Sequence, residues 1–171
     1  MKGIKKMIFL SLLVSLGLAL SIIESMMPIP FIAPGAKLGL SNIVILITMV
    51  LFGFKEALIV GVLKSFTFTL ATGSVSSLFY SLSGSILSLF TMYLVYTKFP
   101  KIFSLIGVSI FGAIAHNLAQ ILVASFMMKN FRIFSYYPIL LLTSLFTGYF
   151  VGLASIYIVK NLKEHLKLYF N

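Results

Sequence analysis

The sequence predicts an all-α membrane protein, a six-transmembrane-helix bundle with both termini cytoplasmic. Three observations carry that expectation. The 171 residues are 60% hydrophobic and 9% charged with a mean hydropathy of +1.13, whereas soluble domains are about 25% charged. Six apolar runs approach the roughly 20 residues a helix needs to cross a bilayer. The basic residues gather at alternate ends of those runs, as the positive-inside rule requires.

The first run, 7–23, follows the basic start Lys2–Lys6 and ends at Glu24. A cleaved signal peptide is the alternative there, but the run exceeds the usual apolar core of about 7–15 residues. The second, 38–52, ends at Gly53, and the third, 57–72, follows the GFKEA turn (Gly53–Ala57). Both are short and draw on their flanks. The fourth run is 78–96, the fifth 102–128 and the sixth 139–159, and residues 160–171 form a basic amphipathic tail that extends the last helix along the membrane surface. No internal repeat or linker divides the chain, so residues 1–171 read as a single integral membrane domain.

Lys2, Lys5, Lys6, Lys55, Lys98, Lys101, Lys160, Lys163 and Lys167 fall on one side; Lys37, Lys129 and Arg132 fall on the other. That asymmetry puts both termini in the cytoplasm and turns the long connectors 24–37 and 129–138 outward. The net charge of +10 therefore reports topology rather than nucleic-acid binding. Tyr93, Tyr96, Tyr136 and Tyr137 sit near run ends as interfacial anchors in a chain without Trp.

With no Cys, thiolate catalysis and zinc–thiolate sites are excluded, and three acidic residues (Glu24, Glu56, Glu164) leave no basis for carboxylate-held metal or paired acid–base chemistry. No phosphate-binding loop or other catalytic motif appears. The chain reads as non-enzymatic, with no cofactor and no metal.

An ionisable group at the centre of a spanning helix costs at least about 2.5–3.5 kcal/mol on insertion scales, so each needs a partner or a polar cavity. Lys64 lies midway along the third run and His116 with Asn117 midway along the fifth; Gln120, four residues on, shares the His116 face. Asn42 enters the second run, while Glu24 and Lys37 close the outer connector, whose PIPFIAPG stretch is too proline-rich to be helical. These seven residues are the expected lining of a substrate pocket opening outward, for a small and largely apolar ligand with a polar head. The competing reading is that Lys64 snorkels and that His116 and Asn117 merely hold helices together. Ser11, Ser15 and Ala19 form a small-residue stripe on the first helix, with Gly17 and Ser21 beside it, suited to close helix approach.

Glu24 with Pro28–Val44 (PIPFIAPGAKLGLSNIV), the GFKEA turn, Lys64 and Ser77–Ser88 (SLFYSLSGSILS) together resemble the bacterial Gx transporter family, historically labelled heptaprenyl diphosphate synthase component I. That family is similar in size and hydropathy to the substrate-binding S components of energy-coupling-factor transporters. The resemblance implies six helices, an outward pocket beneath the first connector, and docking of the first helix, here through Ser11, Ser15 and Ala19, onto a transmembrane coupling subunit driven by ATPases. It also implies a second possibility, a membrane partner of a soluble prenyl synthase. Prenyl elongation itself needs aspartate-rich magnesium sites, and this chain has no Asp.

Overall fold

The computed structural model describes residues 3–27 and 38–170. Lys37 and the proline-rich stretch 28–36 lie outside the described residues. The helices are α1 (Ile4–Met26), α2 (Asn42–Phe52), α3 (Phe54–Thr72), α4 (Val75–Lys98), α5 (Leu105–Met127) and α6 (Tyr137–Phe170), with a short 3-10 helix (Phe131–Tyr136) before α6. Among the described residues there is no strand.

Each apolar run becomes a helix, with ends displaced by a few residues. The largest shift is at α2, which starts at Asn42 instead of residue 38. Gly39 adopts a left-handed φ of 89°, and the amides of Asn42 and Ile43 donate to the carbonyls of Gly39 (3.0 Å) and Leu40 (3.1 Å). The residues before Asn42 are thus a tight turn, though their side chains are as apolar as those of the helix. At its other end the basic tail continues α6 to Phe170.

Among the described residues, four segments are long and apolar enough to cross a membrane: α1, α4, α5 and the stretch Phe131–Glu164. The 19-residue α3 has the length but carries Lys55, Glu56 and Lys64. With 11 residues, α2 rises only about 16 Å, half of a hydrocarbon core of about 30 Å. It is instead the centre of the bundle. It touches α1, α3, α4 and α6, and Val44, Ile45, Leu46 and Thr48 are wholly buried. A helix apolar on every side is stable only when surrounded.

The outer surface is the reverse of a soluble protein's. Leu12, Leu70, Phe90, Phe126, Phe146 and Phe150 are exposed, whereas Glu24, Lys64, His116, Asn117, Gln120 and many serines are buried. Such an inside-out distribution suits a bilayer, where lipid takes the apolar side chains and the polar ones must satisfy each other.

Two contacts fix the helix spacing. On α6, Gly148 and Gly152 lie four apart and face the α5 backbone: a Cβ at Gly148 would sit 2.6 Å from Cα of Ile110, and one at Gly152 would sit 2.5 Å from Cα of Ile106. Backbone cannot yield as a flexible side chain does, so α5 and α6 approach this closely only because both positions lack a side chain. Gly152→Val is expected to cost at least about 1–3 kcal/mol by overpacking, read as a lower thermal unfolding midpoint in detergent. An unchanged midpoint would contradict this contact. At one end of the bundle the Lys6 ammonium pairs with Glu56, tying the start of α1 to the start of α3. That hydrogen-bonded ammonium holds the Glu56 carboxyl below the usual carboxylate range. The pair is partly exposed, and its worth to stability is at most about 1 kcal/mol.

Candidate functional site

The buried polar groups meet at the turn that begins α2. Glu24, near the end of α1 and 3% exposed, accepts hydrogen bonds from the backbone N–H of Leu40 (2.7 Å, Oε1) and of Ser41 (3.4 Å, Oε2). A carboxylate there satisfies N–H groups that an α-helix leaves open at its start and complements the positive end of the helix dipole. From α3, Lys64 reaches the same turn and donates from Nζ to Ser41 Oγ at 3.0 Å. Its stem is accommodated because position 17 on α1 is glycine, where a Cβ would lie 3.0 Å from Lys64 Cδ and 2.9 Å from Val44 Cγ2. The carboxylate and the ammonium are therefore held on either side of Ser41, each stabilised by the turn and by the other's charge.

His116 approaches from α5. A Cβ on Gly39 would stand 3.0 Å from His116 Cδ2 and 3.1 Å from Asn42 Nδ2, and one on Gly84 of α4 would stand 2.5 Å from His116 Cε1. The imidazole thus lies in a slot between two glycines on different elements. Its Nε2 is 2.7 Å from the Gln120 side-chain nitrogen, one turn along the same helix. Since Gln120 donates through that NH2, His116 Nε2 is the acceptor in this pair.

Asn42 completes the group. It is buried, and neither its Oδ1 nor its Nδ2 has a hydrogen-bond partner among the described residues. Beside it is a void of about 10 Å³, bordered by Gly39, Asn42, Ser88, Ser109 and Thr147 and large enough for roughly one water. Ser88 Oγ also lacks a partner among the described residues. A buried amide with both ends open is costly, so this is where the structure is most ready to take a polar group.

Five of the seven residues expected to line a pocket, Glu24, Asn42, Lys64, His116 and Gln120, are brought together around residues 39–42. The turn itself occupies the space between them. Asn117 is not part of the group: its Nδ2 donates to Leu140 O (3.2 Å) and Ser144 Oγ (2.8 Å), which ties α5 to α6. Lys37 lies outside the described residues. On α1, Ser11, Ser15 and Ala19 are exposed on the outer face, and both hydroxyls bond back to their own helix, Ser11 to Met7 O and Ser15 to Ser11 O. Gly17 and Ser21 face inward, so the two small-residue stripes have opposite uses.

Ser41, Gly39 and Gly84 are the members that sequence reasoning missed. One signal was available for α4, where Ser77, Ser81, Ser85 and Ser88 recur at helical spacing and all prove buried. Ser81 Oγ is 2.9 Å from Ser65 Oγ of α3, a hydroxyl bridge between the helices. Among the described residues, no group of three or more His, Asp or Glu side chains is placed to hold a metal.

Comparison with curated proteins and with solved structures returned no match for this chain. Comparison with protein families returned a match spanning residues 13–158, from the middle of α1 to near the end of the apolar part of α6 and so across the whole polar group described above. By that match the chain belongs to the heptaprenyl diphosphate synthase component I family.

Proposed function

We propose that the chain is the substrate-capturing, S-component-like subunit of an ATP-driven importer, without covalent chemistry of its own. In this reading the six-helix bundle, with the short α2 enclosed at its centre, lies in a bacterial plasma membrane with both termini in the cytoplasm. The connector 24–37 faces outward, and a small vitamin-like or isoprenoid/quinone-related molecule binds where the turn 39–42 fills the space between Glu24, Asn42, Lys64, His116 and Gln120, so that capture requires this turn to move; Lys37 is at the mouth and Asn117 behind. The observation that carries it is the convergence of buried polar side chains from α1, α3 and α5 on the single turn Gly39–Asn42, next to an amide with both ends open. Helix packing alone does not call for a carboxylate and an ammonium held by one turn beside an unmatched amide in a membrane interior. The exposed Ser11, Ser15 and Ala19 stripe supports docking to a transmembrane coupling subunit with its ATPases.

The test is uptake into vesicles that contain the chain with an energy-coupling module, supplied with labelled vitamin-like and isoprenoid compounds. Lys64→Ala and His116→Ala are expected to reduce uptake at least about tenfold, the loss that follows when a buried polar contact is left unmade. Uptake equal to that of the unaltered chain in both variants would overturn the site.

The family description favours a second reading, a non-catalytic membrane subunit that supports a soluble heptaprenyl diphosphate synthase in quinone side-chain synthesis. The basic end of α6 would then recruit the synthase. Removing 163–171 is expected to abolish co-purification of the synthase in that case and to leave uptake intact in the first.

A further inference from the structure

A second site lies on the outside of the bundle, away from the polar group. Beside the first turns of α4 and the last turns of α5 is an open groove of about 860 Å³, walled by Phe79, Leu82, Ile86, Leu122, Phe126 and Phe131. That volume is in the range of about 300–1,000 Å³ typical of pockets for small organic ligands. From Phe79 to Ile86 it runs about 10 Å along α4.

The wall carries one anomaly. Ser125 lines the groove, is 2% exposed, and its Oγ has no hydrogen-bond partner among the described residues. Ser83, the other hydroxyl on this wall, satisfies itself on the carbonyl of Phe79 one turn back, whereas Ser125 shares its unpaired state with Ser21, Ser85 and Ser88 elsewhere in the bundle. Ser125 therefore brings a buried, unpaired hydroxyl to the wall of a slot whose lining is otherwise apolar apart from the self-satisfied Ser83. Its own carbonyl accepts from Asn130 N (3.1 Å), and Lys129 N donates to Phe126 O (3.3 Å), so the turn after α5 folds back over this end of the groove. That turn and the 3-10 helix bring exposed Lys129 and Arg132, while all three acidic residues of the chain lie elsewhere, at positions 24, 56 and 164.

The geometry points to a bound anionic phospholipid, with an acyl chain in the groove, its ester carbonyl accepting from Ser125 Oγ, and its phosphate at Lys129 and Arg132. Ser125 is four residues, about one helical turn of 5.4 Å, from Lys129. In a glycerophospholipid the ester lies at that order of distance beneath the phosphate. A prenyl diphosphate has no acceptor at that depth. The aromatic side chains of Phe131 and Tyr136, both exposed, mark the same level as the membrane interface.

The test is native mass spectrometry of the full chain in detergent with equimolar dioleoylphosphatidylglycerol and dioleoylphosphatidylcholine, and in a second arm with farnesyl diphosphate. Phosphatidylglycerol should be retained about tenfold over phosphatidylcholine, the preference two basic residues near a headgroup supply. Lys129→Gln with Arg132→Gln, both exposed and harmless to folding, should remove that preference, and Ser125→Ala should weaken retention severalfold. Equal retention of the two lipids, a preference surviving the double variant, retention indifferent to Ser125→Ala, or farnesyl diphosphate displacing phosphatidylglycerol would each overturn the assignment. The site is independent of the transport reading, and either stands if the other fails.

Discussion

Glu24→Ala is expected to destabilise the chain by about 3 kcal/mol, the lower end of what removing one member of a buried charge pair costs. The substitution strips the N–H groups of Leu40 and Ser41 of their acceptor and leaves the Lys64 ammonium beside Ser41 with no negative charge on the other side. Lys64→Met alone should also destabilise, because Glu24 would then be the uncompensated charge. The double variant should cost clearly less than the sum of the two, with a coupling of about 1–3 kcal/mol. Thermal unfolding of the four proteins in one detergent measures this directly. Strict additivity would mean that the two charges do not act through the turn.

The second large effect belongs to Gly84. A Cβ there would lie 2.5 Å from Cε1 and 2.6 Å from Nδ1 of His116, a rigid ring already backed by Gly39 and fixed by Gln120. Gly84→Ala should therefore cost about 1–3 kcal/mol as overpacking, although alanine favours a helix by nearly 1 kcal/mol over glycine. With His116→Ala as well, the clash disappears and the helix preference remains, so Gly84→Ala should become neutral or stabilising. A Gly84→Ala effect of the same sign and size in both backgrounds would contradict the imidazole slot.

Which parts of this arrangement were legible in the sequence follows from the physics of each. Charged and amide side chains inside apolar runs are conspicuous because they are costly, and so Lys64, His116, Gln120, Asn42 and Glu24 stood out. Their common partner did not. Residues 38–41 read as the start of the second helix because Leu38 and Leu40 are apolar, and hydropathy cannot tell a turn held by a distant carboxylate from a helix. Gly84 carried no signal as a contact residue, because its role depends on an imidazole 32 positions away. Asn117 was grouped with His116 by adjacency, yet neighbours on a helix point about 100° apart, and it serves α6 instead. The same geometry separated the α1 stripes, sending Gly17 inward and Ser15 outward.

The α2 segment shows composition and length pulling apart. Its apolar residues marked a membrane element, but 11 residues span half a bilayer, and only the surrounding helices explain why it is apolar on all sides. The glycine pair of α6 illustrates the converse. The GxxxG spacing of Gly148 and Gly152 is visible in the sequence, but the α5 backbone it meets is not.

The open amide of Asn42 offers the most direct measurement of whether this buried group surrounds a guest molecule. The chain and its Asn42→Leu variant, a near-isosteric change that removes two unmatched polar atoms without leaving a void, are purified from the same membranes and their bound small molecules compared by mass spectrometry. A compound retained near one-to-one by the native chain and lost from the variant, whose unfolding midpoint is unchanged or raised, is the predicted result. A native chain that retains nothing, or a variant that retains the same compound equally well, would show that Glu24, Lys64 and His116 meet at this turn only to hold the helices together.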